Sequence, residues 1–132
     1  MKSKKIKSLI ISGIVCLLPI LLGILLWDKL PDRVAIHFNF YNEPDNFASK
    51  EFAVFGLPFI MLALHIACNL IKFPGRNNRK TPEIMVWIIP VVAVVAEMTV
   101  LLCAVGCEID IRLVAALLIV AVLLIQWRNR YR

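Results

Sequence analysis

The sequence predicts an all-α integral membrane protein: four transmembrane helices, with a short ordered extracytoplasmic loop between helices 1 and 2. Two observations predict it. The chain of 132 residues is 61% hydrophobic, well above the roughly 45–50% of soluble domains, and the excess falls in four blocks. The charges between the blocks also alternate in sign of excess from one border to the next.

The first block, Leu9–Trp27, is uncharged. The second, Phe52–Ile71, is uncharged with His65 neutral. The third, Ile84–Gly106, holds one charge, Glu97. The fourth, Leu113–Trp127, is shorter, but extends upstream through Ile109 and Ile111 with Arg112 snorkelling to the border. A helix needs about 20 apolar residues to cross a bilayer core, and backbone groups in lipid must bond within their own segment. Helices are therefore expected at about 8–27, 52–71, 83–106 and 110–127, in a single membrane domain 1–132, with the loop at 28–51.

Basic residues collect on the cytoplasmic side of short loops. Lys2, Lys4, Lys5 and Lys7, then Lys72, Arg76, Arg79 and Lys80, then Arg128, Arg130 and Arg132 fall at alternate borders. The other borders hold Lys29, Arg33, Lys50 and Arg112, with Asp28, Asp32, Glu43, Asp45, Glu51, Glu108 and Asp110. This places both termini in the cytoplasm. The net charge of +6 then serves orientation and anionic lipid. Nucleic acid is not expected as a partner, because the cations sit at separate borders without an aromatic platform. The first block is expected to be an uncleaved anchor, since Trp27 is followed by DKLP rather than a small-residue cleavage site.

Within the elements, Pro19 and Gly23 permit a bend or close packing in the first helix. Ser49 suits the N-cap of the second. Thr81, Pro82 and Glu83 suit the start of the third. In the loop, Val34, Ile36, Phe38 and Phe40 alternate with Ala35, His37 and Asn39, the period of a strand. The expectation is that these four lie on one buried side, His37 and Asn39 on the other, and that Glu43-Pro44-Asp45-Asn46 makes the turn. A lone strand must pair within the loop, with another copy, or with a ligand.

The polar residues of that loop supply the candidate partner-binding set His37, Asn39, Tyr41, Asp45 and Lys50. One histidine among scattered carboxylates has no metal-site spacing, so no metal is expected. Within the hydrophobic blocks the polar candidates are Glu97, His65 and Asn69. Glu97 lies near the bilayer centre, where a charge costs about 2.5–3.5 kcal/mol. It is expected to be protonated unless paired, and to act either as a proton or cation relay or as a hydrogen-bonding tie between helices. His65 and Asn69 share a helix face at i,i+4 spacing, with His65 about 10 Å closer to the cytosol than Glu97 by helical rise, and the two are expected to join helices. Cys16, Cys68, Cys103 and Cys107 form no CxxC pair and read as small apolar residues. No serine elbow, phosphate loop or catalytic carboxylate pair is present, so neither catalysis nor a cofactor is expected.

The stretch LPDRVAIHFNFYNEPDNFASK resembles the signature of a bacterial domain of unknown function that forms the amino-terminal half of SdpI-type membrane proteins, which include immunity proteins against secreted toxic peptides. The resemblance rests on Leu30, Pro31, Val34, His37, Phe38, Asn39, Pro44, Asp45, Ser49 and Lys50. Two positions depart from the pattern: Ala35 stands where proline is usual, and Asn42 where glycine is usual. Asparagine is the non-glycine residue best suited to a left-handed turn, so the loop is expected to survive. SdpI-type proteins continue with a cytoplasmic motif and two more helices that this sequence does not contain. The resemblance implies a bacterial cytoplasmic membrane protein with an immunity or peptide-recognition role. The implied partners are the bilayer, a secreted peptide or a membrane protein, and a second copy of the chain. A transporter or channel subunit using Glu97, or an accessory subunit of a membrane complex, is the alternative.

Overall fold

The computed structural model describes residues 2–71 and 83–131. Along the chain run α1 (Lys2–Val15), α2 (Leu18–Leu25), a 3-10 turn (Trp27–Lys29), β1 (Arg33–Phe38), β2 (Pro44–Ser49), a π-helical stretch (Phe52–Gly56), α3 (Leu57–Leu70), α4 (Glu83–Ala104) and α5 (Ile111–Arg130). The protein is thus mostly helical, with one two-stranded sheet. Four stretches are long and apolar enough to cross a membrane: Ser3–Leu25, Phe52–Leu70, Ile84–Ala104 and Ile111–Arg130. The expected Thr81 cap and Pro82, with the loop cations Lys72, Arg76, Arg79 and Lys80, lie outside the described residues.

Prolines set the irregularities. Pro19 stands in the first turn of α2, and its ring and missing N–H interrupt the ladder between Val15 and Leu18. The first span is therefore two helices joined by a two-residue break, Cys16 and Leu17. Pro58 occupies the first turn of α3, directly after the π-helical stretch. Its missing N–H leaves the carbonyl four residues earlier without a helical partner, which the wider turn accommodates. Pro90 lies inside α4. Ser49 caps the second span, its hydroxyl accepting from the Phe52 N–H at 3.3 Å. At its far end α4 stops on Gly106, with φ +102°. The Gly106 N–H donates to the Cys103 carbonyl at 3.1 Å and the Cys107 N–H to the Leu102 carbonyl at 3.0 Å, the paired bonds of a Schellman stop.

α4 is the central element, packing against α1, α2, α3, α5 and β1. Its buried face is Val86, Pro90, Ala93, Glu97 and Leu101, spaced at helical periodicity. α1, α2 and the turn between them answer with the small or compact residues Ser8, Ser12, Cys16, Pro19 and Gly23, which let the backbones approach. Gly23 is the tightest point. A Cβ there would stand 2.5 Å from a Val54 methyl. By contrast, α5 packs mainly on α4 and none of its residues is buried.

The hydrophobic cluster sits at one end of the bundle, where Leu30, Val34, Ala53, Val54 and Leu101 meet, flanked by Leu22, Leu26, Trp27 and Ile36. We call this the hairpin end. The opposite end carries Lys4, Lys5, Lys7, Arg128 and Arg130 and is called the basic end.

Candidate functional site

β1 and β2 pair antiparallel, with Arg33 opposite Ser49, Val34 opposite Ala48, Ala35 opposite Phe47, His37 opposite Asn46 and Phe38 opposite Pro44. The strand read from the alternation thus finds its partner within the same segment. Register shifts at Ile36 and Asp45 break the strict period of two, as bulges do. Val34 is fully buried, worth about 1.5–3 kcal/mol for a side chain of that size. Ile36 and Phe38 are half-buried.

Two expectations are corrected here. Phe40 is not on the buried side: β1 ends at Phe38, and Phe40 stands in the turn, 86% exposed. The turn itself spans Asn39–Glu43 rather than Glu43–Asn46. Asn39 dictates this. Its Oδ1 accepts from the Tyr41 N–H at 2.9 Å and the Glu43 N–H at 3.0 Å, while its own N–H donates to the Glu43 carbonyl at 2.8 Å. The asparagine side chain replaces the ladder with a local turn. Pro44 then becomes the first residue of β2, where a missing N–H is tolerated.

Asn42 has φ 62°, the left-handed conformation expected for it. Its side chain does more than tolerate the turn: Oδ1 accepts from the Ile111 N–H at 2.9 Å, at the start of α5. The hairpin tip is thereby tied to the last helix, a link no local pattern signals.

The five loop candidates therefore divide. His37 Nδ1 and the Asp45 carboxylate form an exposed pair at 2.5 Å, the bulge at Asp45 turning the acid towards the ring. Asn39 builds the turn. Lys50 is held at the hairpin base, Nζ 4.6 Å from the Trp27 ring centre and donating to the Trp27 carbonyl at 3.4 Å, a cation–π anchor. Trp27 also packs against Phe55 at 5.8 Å. Tyr41 is left at the tip, 75% exposed, edge-on to Phe40 at 6.4 Å. The exposed surface of the hairpin thus includes an aromatic pair at the apex and a His–Asp pair on its flank, with Phe47 also exposed on β2.

The polar groups of the helices form a second constellation. His65 is fully buried, with Nε2 2.8 Å from the Ser12 hydroxyl. That hydroxyl also reaches the Leu9 carbonyl at 3.0 Å. Asn69 Nδ2 donates to the His65 carbonyl at 2.8 Å and lies 3.4 Å from Nδ1. One proton arrangement satisfies all four groups: Nε2–H donates to Ser12, Ser12 O–H donates to Leu9, and Nδ1 accepts from Asn69. Ser12 was missed in the sequence, although Ser8, Ser12 and Cys16 recur at i,i+4 spacing in an apolar helix. Glu97 is 6% exposed. Neither carboxyl oxygen has a hydrogen-bond partner among the described residues, and the Ser8 hydroxyl is in the same position. Glu97 lies on the buried face of α4, the helix that packs against α1. His65 and Glu97 make no mutual hydrogen bond.

The start of α5 is the remaining polar cluster. Asp110 Oδ1 accepts from the Arg112 N–H at 3.0 Å, and its carboxylate takes the guanidinium through Nε at 3.0 Å and Nη2 at 2.9 Å. The hydrogen-bonded Arg112 side chain holds the Asp110 carboxyl below the usual carboxylate range. The four cysteines are free thiols.

No curated protein and no solved structure matches the chain. A family model does: the one described as "Domain of unknown function (DUF1648)" matches residues 14–62. That span begins near the end of α1, centres on the hairpin and ends in α3, so the signature read from Leu30 to Lys50 lies inside it. Residues 14–62 are thus similar to a domain defined by sequence and not by an activity.

Proposed function

We propose that this chain is a multi-pass protein of the bacterial cytoplasmic membrane, with both termini in the cytoplasm, and that its hairpin is an extracytoplasmic recognition element. The observation that carries this reading is the form of the hairpin. Val34 plugs it into the helix core, Lys50 and Asn42 fasten its base and tip, and Phe40 and Tyr41 are left projecting. Holding two large aromatic side chains exposed on a fixed turn favours contact with another molecule, since aromatic anchors concentrate binding energy. The resemblance to SdpI-type proteins suggests a secreted toxic peptide as that molecule and resistance to it as the outcome. No catalytic role or cofactor is proposed.

The test is expression in a peptide-sensitive bacterium, comparing the wild type with Phe40→Ser/Tyr41→Ser. These substitutions leave the buried anchor Val34 untouched. Protection by the wild type and its loss in the double variant at equal membrane abundance is the expected result. Equal sensitivity of both strains to every peptide encoded beside the gene removes the immunity reading.

One observation favours a second reading. A buried carboxyl is costly to retain for structure alone when nothing bonds to it, and Glu97 has no hydrogen-bond partner among the described residues, which supports a role as a transporter or channel subunit. Four short helices do not enclose a pore, and this reading requires an oligomer. Flux in proteoliposomes that disappears in Glu97→Gln supports it, and flux indifferent to the substitution argues against it.

A further inference from the structure

The hairpin presents a second backbone edge beside the one that joins its two strands. Across the strands, the Lys50 N–H donates to the Asp32 carbonyl at 3.0 Å. The register then runs without a shift through Arg33 opposite Ser49, Val34 opposite Ala48 and Ala35 opposite Phe47. In an antiparallel ladder, inward- and outward-turned backbone groups alternate along each strand. Ala48 therefore bonds to β1, while Ser49 and Phe47 turn their N–H and C=O away from it. Among the described residues only the Arg33 side chain reaches the outward groups of Phe47, donating to the carbonyl at 3.3 Å. β1 packs against α4, whereas β2 packs mainly on β1 and on the π-helical stretch that follows it, and β2 is exposed from Pro44 to Phe47. The open edge of the sheet is that of β2.

This edge is short and has a centre. Towards the tip it is blunted by the register shift at Asp45 and by Pro44, which has no N–H. Towards the base it ends at Ser49, whose hydroxyl caps the following helix through the Phe52 N–H. Phe47 stands midway between Asp45 and Ser49. The sheet also lies across the end of the bundle. Its base is held at Trp27, beyond α2, by Lys50. Its tip is bound at the start of α5 by Asn42. Between them Val34 enters the apolar cluster with Leu101 of α4. Strand side chains stand roughly perpendicular to their sheet, so the normal to this sheet runs along the bundle.

We propose that two copies of this chain pair edge to edge through β2, Phe47 opposite the partner's Phe47, to make one four-stranded sheet across two bundles. Each Phe47 N–H donates to the partner's Phe47 carbonyl, which has two lone pairs and so accepts beside Arg33. By the same count Asn46 meets Ala48 and Asp45 meets Ser49. No like charges face each other, and a hydroxyl faces a carboxylate. The two-fold axis of such a pair is perpendicular to the sheet and therefore parallel to the bundle. Only an axis of that direction relates two chains inserted the same way in one membrane, and here the inference rests on the membrane reading above. Confinement also favours a second copy over a free peptide as the added strand. So short an edge supplies few hydrogen bonds, and two chains already held at one depth and in one orientation lose less freedom on pairing than a peptide from solution.

The test is disulfide trapping of the full chain, cysteine-free apart from one introduced thiol. In a hydrogen-bonded antiparallel pair the Cα atoms stand about 5.5 Å apart, a separation that suits a disulfide. Phe47→Cys is therefore expected to trap a dimer more than tenfold faster than Tyr41→Cys, which is more exposed but lies about 15 Å further along the hairpin. Trapping is run with an impermeant oxidant outside intact cells and again on purified protein in detergent. The detergent sample reads the pairing whatever the sidedness, so trapping in detergent alone retains the pairing and counts against the extracytoplasmic placement. Phe47→Pro removes the outward N–H without removing a ladder bond. It is expected to weaken dimerisation about tenfold by sedimentation, and Phe47→Ala, which keeps the N–H, to weaken it less. Trapping at 47 no faster than at 41 in both settings, or a Phe47→Pro chain that pairs like the wild type, overturns the proposal. A monomeric wild type whose protection against a secreted peptide is lost in Phe47→Pro assigns the edge to a peptide strand and overturns it too. Trapping is read without the proline variant, so it stands even if that variant fails to fold.

Discussion

At the scale of single residues, this chain uses small and polar side chains where an apolar one would also satisfy the composition. Gly23 and Val54 illustrate the first case. The two backbones approach so closely that a methyl on Gly23 meets the Val54 side chain at 2.5 Å. Gly23→Ala is therefore expected to destabilise the protein by about 1–3 kcal/mol. Val54→Ala alone also costs stability, by creating a cavity, but the double variant should be more stable than the sum of the two losses allows. Denaturant unfolding in detergent measures that coupling, and simple additivity would place the clash elsewhere. Asn39 and Asn42 illustrate the second case. One closes the turn through its side-chain oxygen, the other takes the left-handed conformation and reaches Ile111. The tolerance of Asn42 for that conformation was legible in the sequence, because it is an intrinsic property of the residue. Its bond to Ile111 was not, because its partner lies far along the chain. The same division holds at His65. Its pairing with Asn69 follows from i,i+4 geometry, whereas Ser12 becomes its partner only once α1 and α3 are side by side.

At the scale of elements, the hydrophobic blocks announce themselves by length, while their interruptions depend on local chemistry. The break before Pro19 could be anticipated from proline, but the π-helical stretch ahead of Pro58 needs the actual ladder. The hairpin was half legible: period two marked β1, whereas β2 reads Pro-Asp-Asn-Phe-Ala-Ser, a composition without strand propensity. It is a strand because β1 supplies its partners. Placing the turn at Pro44 followed from proline's preference, which Asn39 outcompetes by satisfying two backbone N–H groups at once. The start of α5 has a pH signature. Arg112 lowers the Asp110 carboxyl, so the stabilisation is complete above the ordinary carboxylate value and is lost as pH falls through the lowered one. Amide protection at Arg112, Leu113 and Val114, corrected for intrinsic exchange, should fall as the pH drops below the ordinary carboxylate range and through the lowered Asp110 value, with mid-helix amides unaffected. Asp110→Asn keeps the cap acceptor but should abolish this acid-dependent fraying; fraying that persists in the variant would assign it to another group.

At the scale of the whole molecule, the fold puts the hairpin and the cations near the two termini, Lys4, Lys5, Lys7, Arg128 and Arg130, at opposite ends of the bundle, with α5 running from its Asp110 cap at the hairpin end to Arg128 and Arg130 at the other. For a membrane-inserted chain the expected topology is testable with single cysteines in a cysteine-free background. An impermeant thiol reagent outside cells should label position 45 and spare position 130. External labelling at 130 would remove one crossing. The bond between Asn42 and Ile111 also imposes an order of assembly. During synthesis the hairpin and three spans are made before α5 exists, so the turn closes on Asn39 alone and its tip stays unmoored. Only once α5 has begun to form is the Ile111 amide available to Asn42. The start of α5 thus acts as a latch on a turn made much earlier in the chain, and fixes the tip that carries Phe40 and Tyr41.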